Sequence, residues 1–121
     1  MNKINQNLYG LLLSRLRYLY DGEVQQVVFL ESLFNKTNTL ELQDNIDYQL
    51  RETKQQRKRL DKIFSHLNEH NENGPCLGIR AIIQETENIL QSCQSEAVCD
   101  AAIITAIQHI NHYEIASYGT A

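Results

Sequence analysis

Asn111-His112-Tyr113-Glu114-Ile115-Ala116-Ser117-Tyr118-Gly119-Thr120-Ala121 closes the chain, and nothing in the run reads as a helix stop before Gly119. Upstream of it, Ile103, Ile107 and Ile110 lead to Glu114 at steps of three and four residues, the spacing of one face of an α-helix. Glu114 therefore stands where the stripe requires a hydrophobe. A carboxylate removed from water must take up a proton, find hydrogen bonds or bind a cation. Which of these it does depends on what the rest of the chain brings beside it.

The 121 residues make one domain or part of one, long enough for a single core. A net charge of −4 supplies no basic face for nucleic acid. The run from Lys54 to Lys62, with Arg57, Lys58 and Arg59, spreads around a helix and reads as a solvated surface. No apolar stretch approaches the ~20 residues of a membrane span. The N-terminal Lys, Asn and Gln do not make a signal peptide. Cys76, Cys93 and Cys99 are an odd, unpatterned set, which fits a reducing cytoplasm better than a disulfide framework or a zinc knuckle.

One proline and five glycines punctuate the chain, with Gly74-Pro75 the strongest break. The reading is all-α. A first helix is predicted over about Ile4 to Lys36, with Leu8, Leu12, Leu16, Leu19, Val27, Leu30 and Phe34 as its stripe and Glu23 in the missing place. Asn38 or Thr39 caps a second helix over about Leu40 to Leu67. Its face is apolar at both ends (Leu42 and Ile46, then Leu60, Ile63, Phe64 and Leu67) and polar between, at Gln49, Glu52 or Thr53, and Gln56. A short third helix runs from about Cys76 to Leu90. Ser95 caps a fourth, with Glu96 in its first turn.

Three long helices thus each interrupt an apolar stripe with a polar residue: Glu23, Glu52 and Glu114. Converging in one layer, such carboxylates can share protons and hydrogen bonds, or hold a cation; bundles with a Glu from each of several helices form di-iron or di-manganese centres. The competing reading turns each Glu aside to water.

The runs Tyr18-Leu19-Tyr20-Asp21-Gly22-Glu23, Glu52-Thr53 with Arg59-Leu60, Cys76 leading a short helix, and His112-Tyr113-Glu114-Ile115-Ala116-Ser117-Tyr118-Gly119-Thr120 occur in that order. The chain resembles the YciE/YciF family of ferritin-like bacterial stress proteins from about residue 8 to its C-terminus. The resemblance implies a ferritin-like up-down bundle: three long helices, a short crossover helix and a last bundle helix, which this chain lacks. It also implies a rubrerythrin-like carboxylate site for iron or manganese, with Glu23, Glu52 and Glu114 as ligands. Two departures make that site partial. Gln56 stands where the family often has His, and Asn111 where it has an acid. A neutral amide oxygen is a poor substitute for either at iron.

Without a last helix the bundle has an open apolar groove, which implies a partner: a second copy, giving a homodimer or higher homo-oligomer, or a helix from another protein, unless the chain is a piece of a longer one. Elsewhere, His66 and His70 match His-x-x-Glu-His and would share a helical face; exposed surface residues are the competing reading. His112 points about 160° around the helix from Glu114. Cys76 opens the third helix as a reactive thiol or a small buried hydrophobe. Tyr113 and Tyr118 flank the carboxylate as hydrogen-bonding or packing residues. Two functional classes remain: a cytoplasmic metal-binding stress protein, and a non-catalytic structural or interaction protein.

Overall fold

α1 (Leu8–Phe34) begins behind Asn7, whose side chain accepts from the Gly10 N–H at 2.7 Å and so satisfies one of the helix's orphan donors. The computed structural model describes residues 7–71 and 74–120, so the predicted start of this helix at Ile4 lies outside the described residues. α2 (Leu40–Leu67) is capped by Thr39, one of the two expected caps, through the Leu42 N–H at 3.2 Å. It ends at Asn68, in the left-handed region at φ 56°, where the Asn68 and Glu69 N–H groups close back onto the Ser65 and Phe64 carbonyls. α3 (Leu77–Ser92) and α4 (Glu96–Thr120) follow, the latter with Ser95 Oγ accepting from the Val98 N–H at 3.1 Å.

The direction of each helix follows from contacts at the ends. Tyr9, near the start of α1, donates to Glu69, just past the end of α2, so these two run antiparallel. Asp100, at the start of α4, accepts from Asn38 in the α1–α2 turn, and Tyr118 near its end donates to Glu23 in mid α1. α4 is therefore antiparallel to α1. The start of α3 lies against Gly22 and beneath Tyr113, so α3 runs beside the second half of α1. The result is an up-down-up-down array of three long helices and one shorter helix, and no strand forms among the described residues. No described helix is long and apolar enough to cross a membrane.

The core has two parts. One cluster joins all four helices around Phe29, Leu30, Leu33, Ile46, Ile79, Ile103 and Ile110. The other lies between α1 and α2 around Leu13, Leu16, Leu19, Leu60 and Phe64, with Tyr118 of α4 against it.

Three expectations are corrected. On α1 the buried line is Leu16, Leu19, Glu23, Gln26, Leu30 and Leu33, whereas Leu8, Leu12 and Phe34 are exposed. The stripe rotates because three-four alternation tracks the neighbouring helices, whereas a run of four-residue steps drifts around the cylinder. Cys93 and Cys99 form a disulfide with Cα atoms 5.7 Å apart, within the span such a bridge needs. The turn between α3 and α4 brings together two cysteines whose spacing looks unpatterned in a linear reading, and only Cys76 is free. His66 and His70 share no helical face, because the left-handed Asn68 ends α2 between them. His70 instead offers its carbonyl to Arg17 Nε at 2.9 Å, and both imidazoles are exposed.

Candidate functional site: a paired-carboxyl layer

Between the two core clusters α1 presents Glu23 and Gln26, and α4 presents Glu114 and Tyr118. Glu23 and Gln26 occupy successive places on the buried line of α1, three residues apart, so both side chains project into the seam. Glu23 is only 1 % exposed. Its Oε1 accepts from the Tyr118 hydroxyl at 3.2 Å, and Gln26 Nε2 donates to Glu114 Oε2 at 3.1 Å.

The second oxygen of Glu23, Oε2, has no donor within reach. A buried carboxylate oxygen in that position is expensive to leave unpaired. Protonating Glu23 resolves this, since the acid then has an O–H to give and the Glu114 carboxylate is there to accept it. Burial is the main force raising the Glu23 pKa, the hydrogen bond to Glu114 and its negative charge come next, and the Tyr118 hydroxyl works weakly the other way; together they push it up to about 10. At neutral pH Glu23 keeps its proton. Tyr118 is held well above the ordinary phenol range by burial and by the Glu23 carboxyl, so it keeps its proton and donates it in the hydrogen bond to Glu23.

A cavity of about 30 Å³ adjoins this layer, lined by Arg15, Gly22, Glu23, Cys76, Tyr113, Glu114 and Ser117 among others. That is room for about one or two waters. The wall is built by the start of α3. Cys76 precedes α3 as its N-cap, and its thiol, buried, lies 3.3 Å from the Tyr113 hydroxyl. This contact, then burial, raises the Tyr113 pKa. Asp21 fixes the wall to α1, accepting from the Cys76 N–H and from Gln25 Nε2, which also donates to the Cys76 carbonyl at 3.1 Å. Gly22 allows the approach: a Cβ there would meet Ile79 at 3.3 Å.

Of the residues singled out in the sequence, Glu23 and Glu114 are together. Glu52 is half-buried, and on α2 the adjacent Thr53 takes the fully buried place, with its hydroxyl on the Gln49 carbonyl at 2.8 Å. The oxygen of Gln56 accepts from Arg59 Nη1 at 3.2 Å. Asn111 is half-buried in a separate groove between α2 and α4. Among the described residues no group of three or more His, Cys, Asp and Glu side chains has the geometry to hold a metal ion. His112 is exposed and bonds the Gln108 carbonyl. Gln26 escaped the sequence reading; its signal is its place on the Glu23 line of α1.

Residues 7–121 match the family described as Domain of unknown function (DUF892). Protein YciF of Escherichia coli K12 is 34 % identical over 102 residues, 84 % of this chain; the chain spans 61 % of that protein's length. The crystal structure of the E. coli stress protein YciF superposes with a TM-score of 0.88 at 30 % identity, covering 95 % of this chain and 73 % of that one. A Rhodopseudomonas palustris protein, YcfI, described as a candidate structural protein, superposes at 0.93 with 32 % identity, covering 99 % of this chain and 76 % of that one. With a family match over nearly its whole length and relatives alike in sequence and in fold, the chain belongs to the YciE/YciF family, DUF892.

Proposed function

We propose that this chain is a ferritin-like, stress-associated bundle protein whose di-iron-type carboxylate site is degenerate, and that it works as a non-catalytic structural or interaction protein in the cytoplasm. The observation that carries the reading is the Glu23–Glu114 pair. Tyr118 takes one oxygen of Glu23 and Gln26 one oxygen of Glu114, and Glu23 keeps its proton. A carboxyl that keeps its proton at neutral pH must lose it before it can ligate a metal. The remaining donor set fits iron or manganese poorly. Gln56 is neutral, and its oxygen is taken by the Arg59 guanidinium. Asn111 supplies no charge, and such centres use about four carboxylates with imidazole. The stress role follows from the description of YciF as a stress protein, and the structural role is in line with that given to YcfI.

A second reading, iron or manganese held by Glu23, Glu52 and Glu114, has one observation in its favour: the unpaired Oε2 of Glu23, buried beside a cavity. Adding ferrous iron in air to the purified protein, with metal analysis, separates the two. The proposal expects well under one metal per chain, with no change in Glu52→Ala. Stoichiometric iron or manganese that disappears in Glu52→Ala overturns it.

The partner expected for such a protein is a second copy. A groove of about 420 Å³ lies between α2 and α4, lined by Leu42, Gln49, Ile104, Ile107 and Asn111 among others. Its lining of apolar and neutral polar side chains, with the one carboxylate of Glu41, suits a helix laid along it. Sedimentation should find a dimer or larger; a stable monomer at micromolar concentration counts against this.

A further inference from the structure

We propose that the Cys93–Cys99 disulfide is a thiol–disulfide exchange site, a redox latch that couples the α3–α4 turn to the α1–α2 turn. The bridge joins Cys93, the residue after the last turn of α3, to Cys99 in the first turn of α4, and both residues are half-buried, so a small thiol can reach them. The bridge spans only six residues of sequence, and short loops restrict the unfolded chain least. It is therefore weakly placed as a staple for the fold.

The two redox states are both provided for. Cys93 Sγ lies 3.5 Å from the Leu90 carbonyl. A disulfide sulfur has no proton to give that oxygen, whereas a thiol does. The turn also has fastenings of its own: the Cys93 N–H on the Ile89 carbonyl at 2.9 Å, and Ser95 Oγ capping α4. Opening the bridge leaves both helix ends satisfied, so reduction needs no unfolding.

The coupling runs through the residue after Cys99. Asp100 is buried, and its Oδ1 accepts from both the backbone N–H and the side-chain Nδ2 of Asn38, each at 3.2 Å. Asn38 immediately precedes Thr39, the cap of α2. A covalent hold on the first turn of α4 thus fixes the carboxylate that ties down the start of α2. The groove flanked by Thr39, Leu42, Ile104 and Ile107 opens next to this tie. Reduction loosens the tie and widens the freedom of the two groove walls.

The chemistry needs a dithiol reductant or two equivalents of a monothiol such as glutathione. One thiolate attacks Cys93 or Cys99, the S–S bond breaks, and the other cysteine leaves as thiolate and takes a proton. The second thiol then displaces the remaining cysteine. Two electrons and two protons pass to the protein, and the reductant becomes a disulfide.

The test uses the full chain equilibrated in graded glutathione buffers, then acid-quenched, denatured, alkylated and weighed. One alkylated cysteine (Cys76) is expected at the oxidised end and three at the reduced end, with the same curve reached from both directions. Peptide mapping in a Cys76→Ser variant identifies the pair. Amide exchange at Asn38 is then expected to be about tenfold faster in the reduced protein than in the oxidised one, with the far core unchanged. Cys93→Ser with Cys99→Ser should reproduce the fast state; if that variant does not fold, wild type reduced by dithiothreitol supplies it. Failure of the two thiols to pair in oxidised glutathione overturns the proposal. So does a pair that dithiothreitol cannot open in the folded protein, or equal exchange at Asn38 in both states.

Discussion

α1 and α4 meet twice, and the two meetings are built of different materials. Toward the start of α4, Ile103, Ala106, Ile107 and Ile110 pack with Phe29, Leu30 and Leu33 in one apolar cluster. One turn further on, Glu114 and Tyr118 face Glu23 and Gln26 and are joined to them by hydrogen bonds. The first meeting tolerates small sliding, since apolar contact has no direction. The second does not: Tyr118 must reach one oxygen of Glu23, and Gln26 one oxygen of Glu114. The apolar seam supplies the stability, and the polar seam supplies the register of α4 on α1.

The division of labour predicts unequal losses. Ile103 is completely buried among four helices. Ile103→Ala removes three carbons from a packed interior and should cost about 2–5 kcal/mol in chemical denaturation. A loss below ~1 kcal/mol would mean that the seam collapses around the gap, and that the apolar half is less rigid than its burial implies.

The polar seam should respond to chemistry more than to volume. Glu23→Gln keeps the shape of the protonated acid and should cost no more than about 1 kcal/mol, since an amide can donate to Glu114 and accept from Tyr118. A cost several times larger would show that ionised Glu23 is the native form. The pH dependence tests the same point. The Glu23 pKa is about 10 in the folded protein against an ordinary 4.5. Between those values the folded state binds more protons than the unfolded one, so stability falls as pH rises. This contribution is fully present below about 4.5 and is lost as pH climbs through about 10. Melting at pH 9 should therefore come lower than at pH 5.5, and Glu23→Gln should flatten the difference. An unchanged slope in the variant would assign the pH effect to other groups.

The same contrast explains what the sequence disclosed. Isoleucines at steps of three and four marked the apolar seam outright, and the second helix ended where Leu67 gives way to Asn68. A Glu inside such a stripe marked the polar seam equally well, because burial of a carboxylate is improbable without cause. What the stripe could not convey is azimuth to within one residue. Glu52 and Thr53 lie about 100° apart on α2, and the smaller residue took the inward place. Gln26 was passed over because a neutral amide on a buried line is unremarkable until its acceptor is known. The disulfide was hidden because its two cysteines belong to different helices, and their distance is set by a turn. Each miss concerns a relation between elements, which a single strand of text carries only weakly.

The smallest effect should come from the wall that separates the polar seam from solvent. A Cβ on Gly78 would lie 2.4 Å from Cε2 of Tyr113 and 2.6 Å from its hydroxyl, so the ring must move. The ring is the far end of a side chain that is only half-buried, and it can swing outward. Ala is the better helix former, by up to ~1 kcal/mol in a helix interior, and less here, in the first turn. Displacing the ring breaks its 3.3 Å contact with Cys76 Sγ. The two effects oppose each other, so Gly78→Ala should change stability by less than about 1 kcal/mol. Its effect on access should be plain: with Tyr113 moved aside, the Cys76 thiol should react several-fold faster with a small alkylating reagent under native conditions. If the rate is unchanged, Tyr113 is not the roof of the cavity, and the polar seam is shielded by Arg15 and Tyr18 on the α1 side instead.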